Sequence, residues 1–424
     1  MSNFYLCLLL AGLCALASCH HVPGHEGDHD GHEHQHEDQP PAESNEKSTH
    51  FPCFKVSPSN GDFAFKFYRH LASESAGKNI LFSPVSISIA FMFMTLGAKG
   101  ITLDQIVSGL SFNQSEISMK EIDDGFRHLL QLLNRPRAEI ELSIGNALFT
   151  TDKFQVRQEI LDEARDLFQA NIVSANFKNI DEVAAQINSY IEKKTHGKLV
   201  DVVKGLDPET VMVLVNYVFL KAYWVKPFDP ESTRKKDFFV NNETTVQVDM
   251  MQRDGHYAVA HDEELGCQAV WIPYQGNVTA LFILPEKGKL SQVEQAIGRG
   301  HLAKWYHSSK LQRIELSLPK VSLRTSYDLK EKMRGLGVTE AFTDRADLSA
   351  FTGEPNLKIS EAIHKTYLNI HENGTEAAAT TVIEMVPMSL PLSIEYNSPY
   401  LVVLADHETR TVLFMGRVMN PNEH

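Results

Sequence analysis

Histidine supplies the first chemistry the chain offers. Seven of its 19 histidines (His20, His21, His25, His29, His32, His34 and His36) are packed into one short stretch, interleaved with Asp, Glu and Gly. Neutral imidazoles spaced this closely are ligands for Zn²⁺, Cu²⁺ or Ni²⁺, and nearby carboxylates add charge. The run His32-Glu33-His34-Gln35-His36 also matches H-E-x-x-H, which makes a hydrolytic zinc centre only where a helix brings both histidines to one face. Gly31 precedes the run and Pro40-Pro41 follow it, so no helix is expected and the match reads as coincidence in a His-rich tract. Two readings remain open: loose divalent-metal binding by a disordered tail, and a solvated tail with no ligand. A chain beginning at Ser18-Cys19-His20 would also present a free amine with His at position three, a Cu²⁺/Ni²⁺ chelate.

Catalytic constellations are harder to find. There is no G-x-S-x-G elbow, no phosphate-cradling loop and no G-x-G-x-x-G. A Ser-His-Asp triad leaves no sequential signature, because its members meet only in space. His364, within "KISEAIHKTYLNI", lies between apolar positions and reads as a structural histidine. Enzyme is therefore the weaker reading, and no cofactor is required. Of five cysteines, Cys7, Cys14 and Cys19 sit at the extreme N-terminus, leaving only Cys53 and Cys267, which is no disulfide framework. Their pairing is left open.

The N-terminal apolar run Phe4–Ala17 ends in Ala15-Leu16-Ala17, the small-x-small form of a signal-peptidase site, and is too short for a membrane span. Leu16-Ala17-Ser18-Cys19 also resembles a bacterial lipoprotein box. Four Asn-x-Ser/Thr sequons, at Asn113, Asn242, Asn277 and Asn373, favour eukaryotic secretion instead. The expected organisation is a leader over residues 1–19, cut after Ala17 or Cys19, a His-rich extension over 20–50 and a folded body over 51–424. The protein is expected to be secreted, extracellular and monomeric, with glycans on Asn113, Asn242 and Asn277. A net charge of −14 with no basic stripe argues against a nucleic-acid partner. Acidic residues interrupt the few basic ones over Met119–Arg137, which argues against heparin.

The body must hold these groups in place with about 370 residues, ample for a large core. Spacing predicts helices over Asn60–Ala76, from Ser83-Pro84 to Gly97, and over Ile122–Leu133, Gln158–Phe168 and Asp181–Lys194. After Val211 the text turns to strand: "VMVLVNYVFLKAYWVKPF", "CQAVWIPY", "VTALFILP" and "RIELSLPKVSL". It closes with a hairpin of buried strands, Tyr400–Leu404 and Thr411–Val418. Helices early and strands late predict an α+β fold.

One segment commits to neither state. In "GTEAAATTVIEMVPMS" (Gly374–Ser389), Thr375-Glu376-Ala377-Ala378-Ala379 favours helix, Thr380-Thr381-Val382-Ile383 favours strand, and Met385-Val386-Pro387-Met388 has no period. Together with "NILFSPVSIS" (Asn79–Ser88), "LVNYVFLKAYWVKPF" (Leu214–Phe228) and "FMGRVMNP" (Phe414–Pro421), it makes the chain resemble the serpins, the serine protease inhibitor superfamily, and within it the alpha-1-antitrypsin-like members. The likeness runs from about Phe51 to the end, with its landmarks in the right order.

That resemblance implies helices around three β-sheets and an exposed reactive-centre loop at about 372–396. A serine protease of elastase or chymotrypsin type would cut Met388–Ser389, and the loop would then insert into the main sheet. Long, unbranched Met388 suits an apolar primary pocket, and its oxidation to the sulfoxide would weaken docking. Insertion turns Thr375, Ala377, Ala379 and Thr381 inward, all small and uncharged, while Glu376 stays solvated. The resemblance further makes Glu372, Gly374, Thr375, Ala377, Ala378, Ala379 and Thr381 the hinge. Lys320, Glu372 and Trp224 become the opening at the top of the sheet, and Ser83, Ser86, Asn216 and His364 the polar cluster beneath its centre. The alternatives are a non-inhibitory carrier of a small hydrophobic ligand on the same scaffold, and an extracellular metal-binding protein acting through its tail. The fourth sequon, Asn373-Gly374-Thr375, falls inside the hinge, where a glycan bears on insertion.

Overall fold

The computed structural model describes residues 51–354, 357–375 and 392–423. Among them, helix α1 (Cys53–Glu74) starts well before Asn60 and passes through Pro58. Burial outweighs the lost backbone bond. Val56 packs on Gly125, where a Cβ would stand 2.6 Å from its Cγ1, and Arg410 lies 3.8 Å over the Phe54 ring. After the short strand β1 (Ile80–Phe82), Ser83 caps α2 (Pro84–Met94) by accepting from the Ser86 N–H, with Pro84 in the first turn. Every α2 residue is buried, so the helix shows no amphipathic period.

Helix α3 (Gly100–Gly109) was not foreseen, whereas α4 (Met119–Leu133) begins at a Ser118/Glu121 capping box. Helix α5 (Gln158–Phe168) matches the sequence expectation, and α6 (Ile180–Lys194) matches within one residue. Short helices α7 (Leu290–Ala296), α8 (Arg299–Ser308) and α9 (Leu329–Gly335) follow among later strands.

The order of helices then strands is corrected by β2 (Ile140–Thr151) and β3 (Asn171–Ala175), which lie among the early helices. "IELSIGNALFTT" hides its strand character because the C-terminal part is buried on both faces and carries Gly145 and Asn146. Strands β4 (Met212–Tyr223), β10 (Val321–Asp328), β11 (Glu361–Ile370) and β12 (Gly374–Thr375) join these two in a six-stranded sheet of order β10-β11-β4-β2-β3, with β12 on β4.

A second sheet has nine strands: β1, β5 (Arg234–Phe239), β6 (Thr245–Asp262), β7 (Cys267–Pro273), β8 (Val278–Pro285), β9 (Lys310–Pro319), β13 (Leu392–Glu395), β14 (Tyr400–Asp406) and β15 (Thr411–Val418). The hairpin expected near the C-terminus is β14–β15.

The six-stranded sheet divides the core. Along β4, Leu214, Val218, Leu220 and Ala222 join the principal core, while Val213, Val215, Tyr217 and Phe219 join a second cluster with Val183, Ile187 and Ile191 of α6. Period-two alternation thus gives β4 two apolar faces. No helix among the described residues is long and apolar enough to cross a membrane.

Candidate functional site: the hinge and the seam below it

Two strands that follow different parts of the chain meet at the centre of the six-stranded sheet. β4 and β11 run parallel, paired from Val213↔Glu361 to Phe219↔Tyr367. Above Phe219 they diverge: β11 continues to Ile370 paired with β10, and β4 continues to Tyr223 paired on its far side with β2. Into the gap turns the chain after β11. His371 and Gly374 exchange backbone hydrogen bonds of 2.9 and 3.0 Å, and β12 then runs antiparallel to β4, Gly374 opposite Tyr223 and Thr375 opposite Ala222. Gly374 has φ +126°, and a Cβ there would stand 2.3 Å from the Ala222 carbonyl oxygen. Only glycine fits.

The segment 371–373 is held by its carbonyls. The Trp224 indole Nε1–H donates to His371 O (2.9 Å), the Phe228 N–H to Glu372 O (2.7 Å) and the Trp224 N–H to Asn373 O (3.0 Å). The Trp224 ring stacks on Tyr274 at 3.9 Å, which fixes the indole. The Glu372 carboxylate receives Lys320 Nζ at 3.0 Å and the Thr233 hydroxyl at 2.9 Å. Burial pushes that carboxyl up, but the backbone N–H, Lys320 and Thr233 outweigh it and hold it below the usual range. The three residues the resemblance assigns to the top of the sheet, Lys320, Glu372 and Trp224, therefore do meet.

Lower on the seam, Asn216 and His364 are register partners, and their side chains bond across it: His364 Nδ1 and Asn216 Oδ1 are 2.5 Å apart. His364 Nε2 accepts the Ser83 N–H at 3.1 Å, so Nδ1 must carry the proton. Asn216 Oδ1 also accepts from the Ser86 hydroxyl (2.8 Å), while its Nδ2 donates to Asn146 Oδ1 (2.7 Å) and Ser86 O (3.1 Å). Ser83, Ser86, Asn216 and His364 are all fully buried, and burial pulls the imidazole down to about 3, so it is neutral throughout the physiological range. This network ties α2, β2, β4 and β11 together with every group satisfied, which makes the seam a specified joint.

Sequence reasoning missed Asn146, Thr233 and Tyr274. Asn146 had a signal, a lone amide in the apolar run "IGNALF"; Thr233 and Tyr274 had none. Cys53 and Cys267 are both free and buried, and burial pushes each thiol up to about 12, so neither is a ready nucleophile. Asn113, Asn242 and Asn277 are exposed. Among the described residues no group of three or more His, Cys, Asp or Glu side chains could hold a metal. Met388, Ser389, Ala377, Ala378, Ala379, Thr381, the N-terminal leader and the seven tail histidines lie outside the described residues.

The sequence matches the Serpin (serine protease inhibitor) family over residues 58–421, and the chain belongs to that family. Among its relatives, alpha-1-antiproteinase of Bos taurus is 43% identical over 98% of both chains, and alpha-1-antitrypsin of Sus scrofa is 41% identical over 98% of both. Among solved structures, human thyroxine-binding globulin complexed with thyroxine superposes with a TM-score of 0.85 at 39% identity, covering 88% of this chain and 100% of that one. Human glycosylated kallistatin gives 0.83 at 38% identity over the same shares.

Proposed function

We propose that the protein is a secreted inhibitor of elastase- or chymotrypsin-like serine proteases, acting as a suicide substrate cut between Met388 and Ser389. The observation that carries this reading is the pairing of β12. Gly374 and Thr375 already run beside β4 in the antiparallel sense that a strand inserted between β4 and β11 requires. Continued in that register, Glu376 meets Lys221, Ala377 meets Leu220, Ala378 meets Phe219, Ala379 meets Val218 and Thr381 meets Asn216. Because β11 pairs with β4 only up to Phe219, Glu376 and Ala377 can join before any strand parts. Parting begins at Ala378 and reaches the buried joint at Thr381. The residues opposite Leu220 and Val218, which face the principal core, are alanines, so at these two positions no bulky or charged group has to be buried.

The chemistry follows from that geometry. The protease serine attacks the Met388 carbonyl carbon, the bond to Ser389 breaks, Ser389 departs as a new amine, and an ester joins Met388 to the protease. Insertion of the freed strand then competes with hydrolysis of that ester. The relatives named alpha-1-antiproteinase and alpha-1-antitrypsin support the inhibitory reading. A carrier reading is favoured by one observation, the likeness to thyroxine-binding globulin, and predicts ligand binding without trapping.

The apolar pocket assignment is tested by Met388→Arg. Trapping should pass from elastase to trypsin, since trypsin-like pockets carry a carboxylate for Arg or Lys; retention of elastase trapping with none of trypsin would move the scissile bond elsewhere. The His-rich extension is proposed to bind Ni²⁺, Zn²⁺ or Cu²⁺ independently of the loop. Titration of each metal alone into the full chain and into a chain lacking residues 20–36 checks this; equal heats would refute it.

A further inference from the structure

We propose that Asn373, at the tip of the hinge turn, is an N-glycosylation site whose sugar stays outside the sheet before and after loop insertion. The proposal rests on the inhibitory reading above for its second half alone. Asn373-Gly374-Thr375 is a complete sequon. Transfer to it joins Asn373 Nδ2 to the anomeric carbon of an oligosaccharide held on a lipid pyrophosphate. The amide loses one proton, and the lipid pyrophosphate leaves with the anomeric oxygen. That step takes place on extended chain, so the folded hinge decides only whether the product is accommodated.

The turn accommodates it. Asn373 uses its backbone for structure: its carbonyl accepts the Trp224 N–H at 3.0 Å and its N–H points at His371 Nδ1 at 3.4 Å. Its side-chain amide makes no hydrogen bond among the described residues, and the residue is partly exposed. Two of the other three sequons differ. The Asn277 amide donates to Glu408 at 3.0 Å, beside the Arg135 and Arg137 ion pairs, and the Asn113 amide donates to Glu116 at 2.8 Å. A glycan on Asn373 therefore displaces no bond among the described residues.

Position does the rest. The His371–Gly374 turn is already closed, and β12 has already entered the β4 register. Insertion extends β12 toward the joint at Asn216 while the turn stays where it is, so Asn373 remains on the rim above the opening strands. A sugar there does not have to pass through the seam.

The test uses the full chain secreted from eukaryotic cells, with Asn373→Gln as the unglycosylated control. Glycopeptidase digestion in ¹⁸O-water should convert Asn373 to labelled Asp in most molecules. The fraction of elastase held in denaturant-stable complex should agree between wild type and Asn373→Gln within about twofold. An unlabelled Asn373 alongside a labelled Asn242 would overturn the site. Wild type cleaved without complex while Asn373→Gln traps would overturn the rim placement, since the glycan would then block insertion. If both fail to trap, the inhibitory reading falls, and labelling still decides occupancy.

Discussion

Refusal of a proton by buried His364 should cost the protein stability in mildly acidic solution, where the unfolded chain takes that proton up, and the size of the effect follows from its surroundings. The ring is fully buried, accepts the Ser83 N–H on Nε2 and shares its Nδ1 proton with Asn216, so a second proton would set donor against donor. Burial brings the group down from 6.5 to about 3. Between those values the unfolded chain binds a proton that the native chain does not, so the stability is fully present above pH 6.5 and is lost as pH falls toward 3. The slope is about 1.4 kcal/mol per pH unit, which makes the loss between pH 7 and pH 5 about 2 kcal/mol.

In His364→Gln that contribution disappears. His371 and His407, also pulled down by burial, remain in both proteins and cancel in the comparison. Urea unfolding of the native state, followed by tryptophan fluorescence at pH 7 and pH 5, measures the difference. The wild type should lose about 2 kcal/mol more than the variant over this interval. Equal losses, within about 0.5 kcal/mol, would refute the assignment of His364 as a neutral, proton-refusing member of the joint.

Three further substitutions probe the hinge and core. Gly374→Val places a side chain against the Ala222 carbonyl, so β12 should fail to dock and the ratio of trapped complex to cleaved inhibitor on gels should fall several-fold. Lys320→Ala leaves Glu372, whose side chain is 9% exposed, with Thr233 as its remaining side-chain partner. Because Lys320 is itself 40% exposed and solvent screens the pair, the loss should be only about 1 kcal/mol in urea unfolding at pH 7. Tyr400→Phe should raise stability by about 1 kcal/mol in the same assay, since the Tyr400 hydroxyl is fully buried with no partner among the described residues.

The sequence carried the hinge better than the sheet that receives it. Helices with a clean period, such as Gln158–Phe168, were legible to the residue. Ile140–Thr151 was not, because a strand buried on two faces loses its alternation, and the first turns of α1 before Asn60 were not, because only tertiary contacts reveal their burial. Lys320, Glu372 and Trp224 came from family likeness alone; no local pattern links positions so far apart in the chain. The gap above Phe219 and the closed turn at Gly374 are properties of register, which no single segment encodes. His364 was readable as structural from its apolar neighbours, whereas its partners Asn216 and Ser83 came from family likeness alone.

The central claim is that the loop is cut between Met388 and Ser389 and traps the protease as an ester. Mature protein mixed with pancreatic or neutrophil elastase and run on a denaturing gel tests it directly. The account predicts a protease–inhibitor band that survives denaturant, together with a released C-terminal peptide beginning at Ser389. Clean cleavage at any bond with fully active elastase and no such band would contradict it.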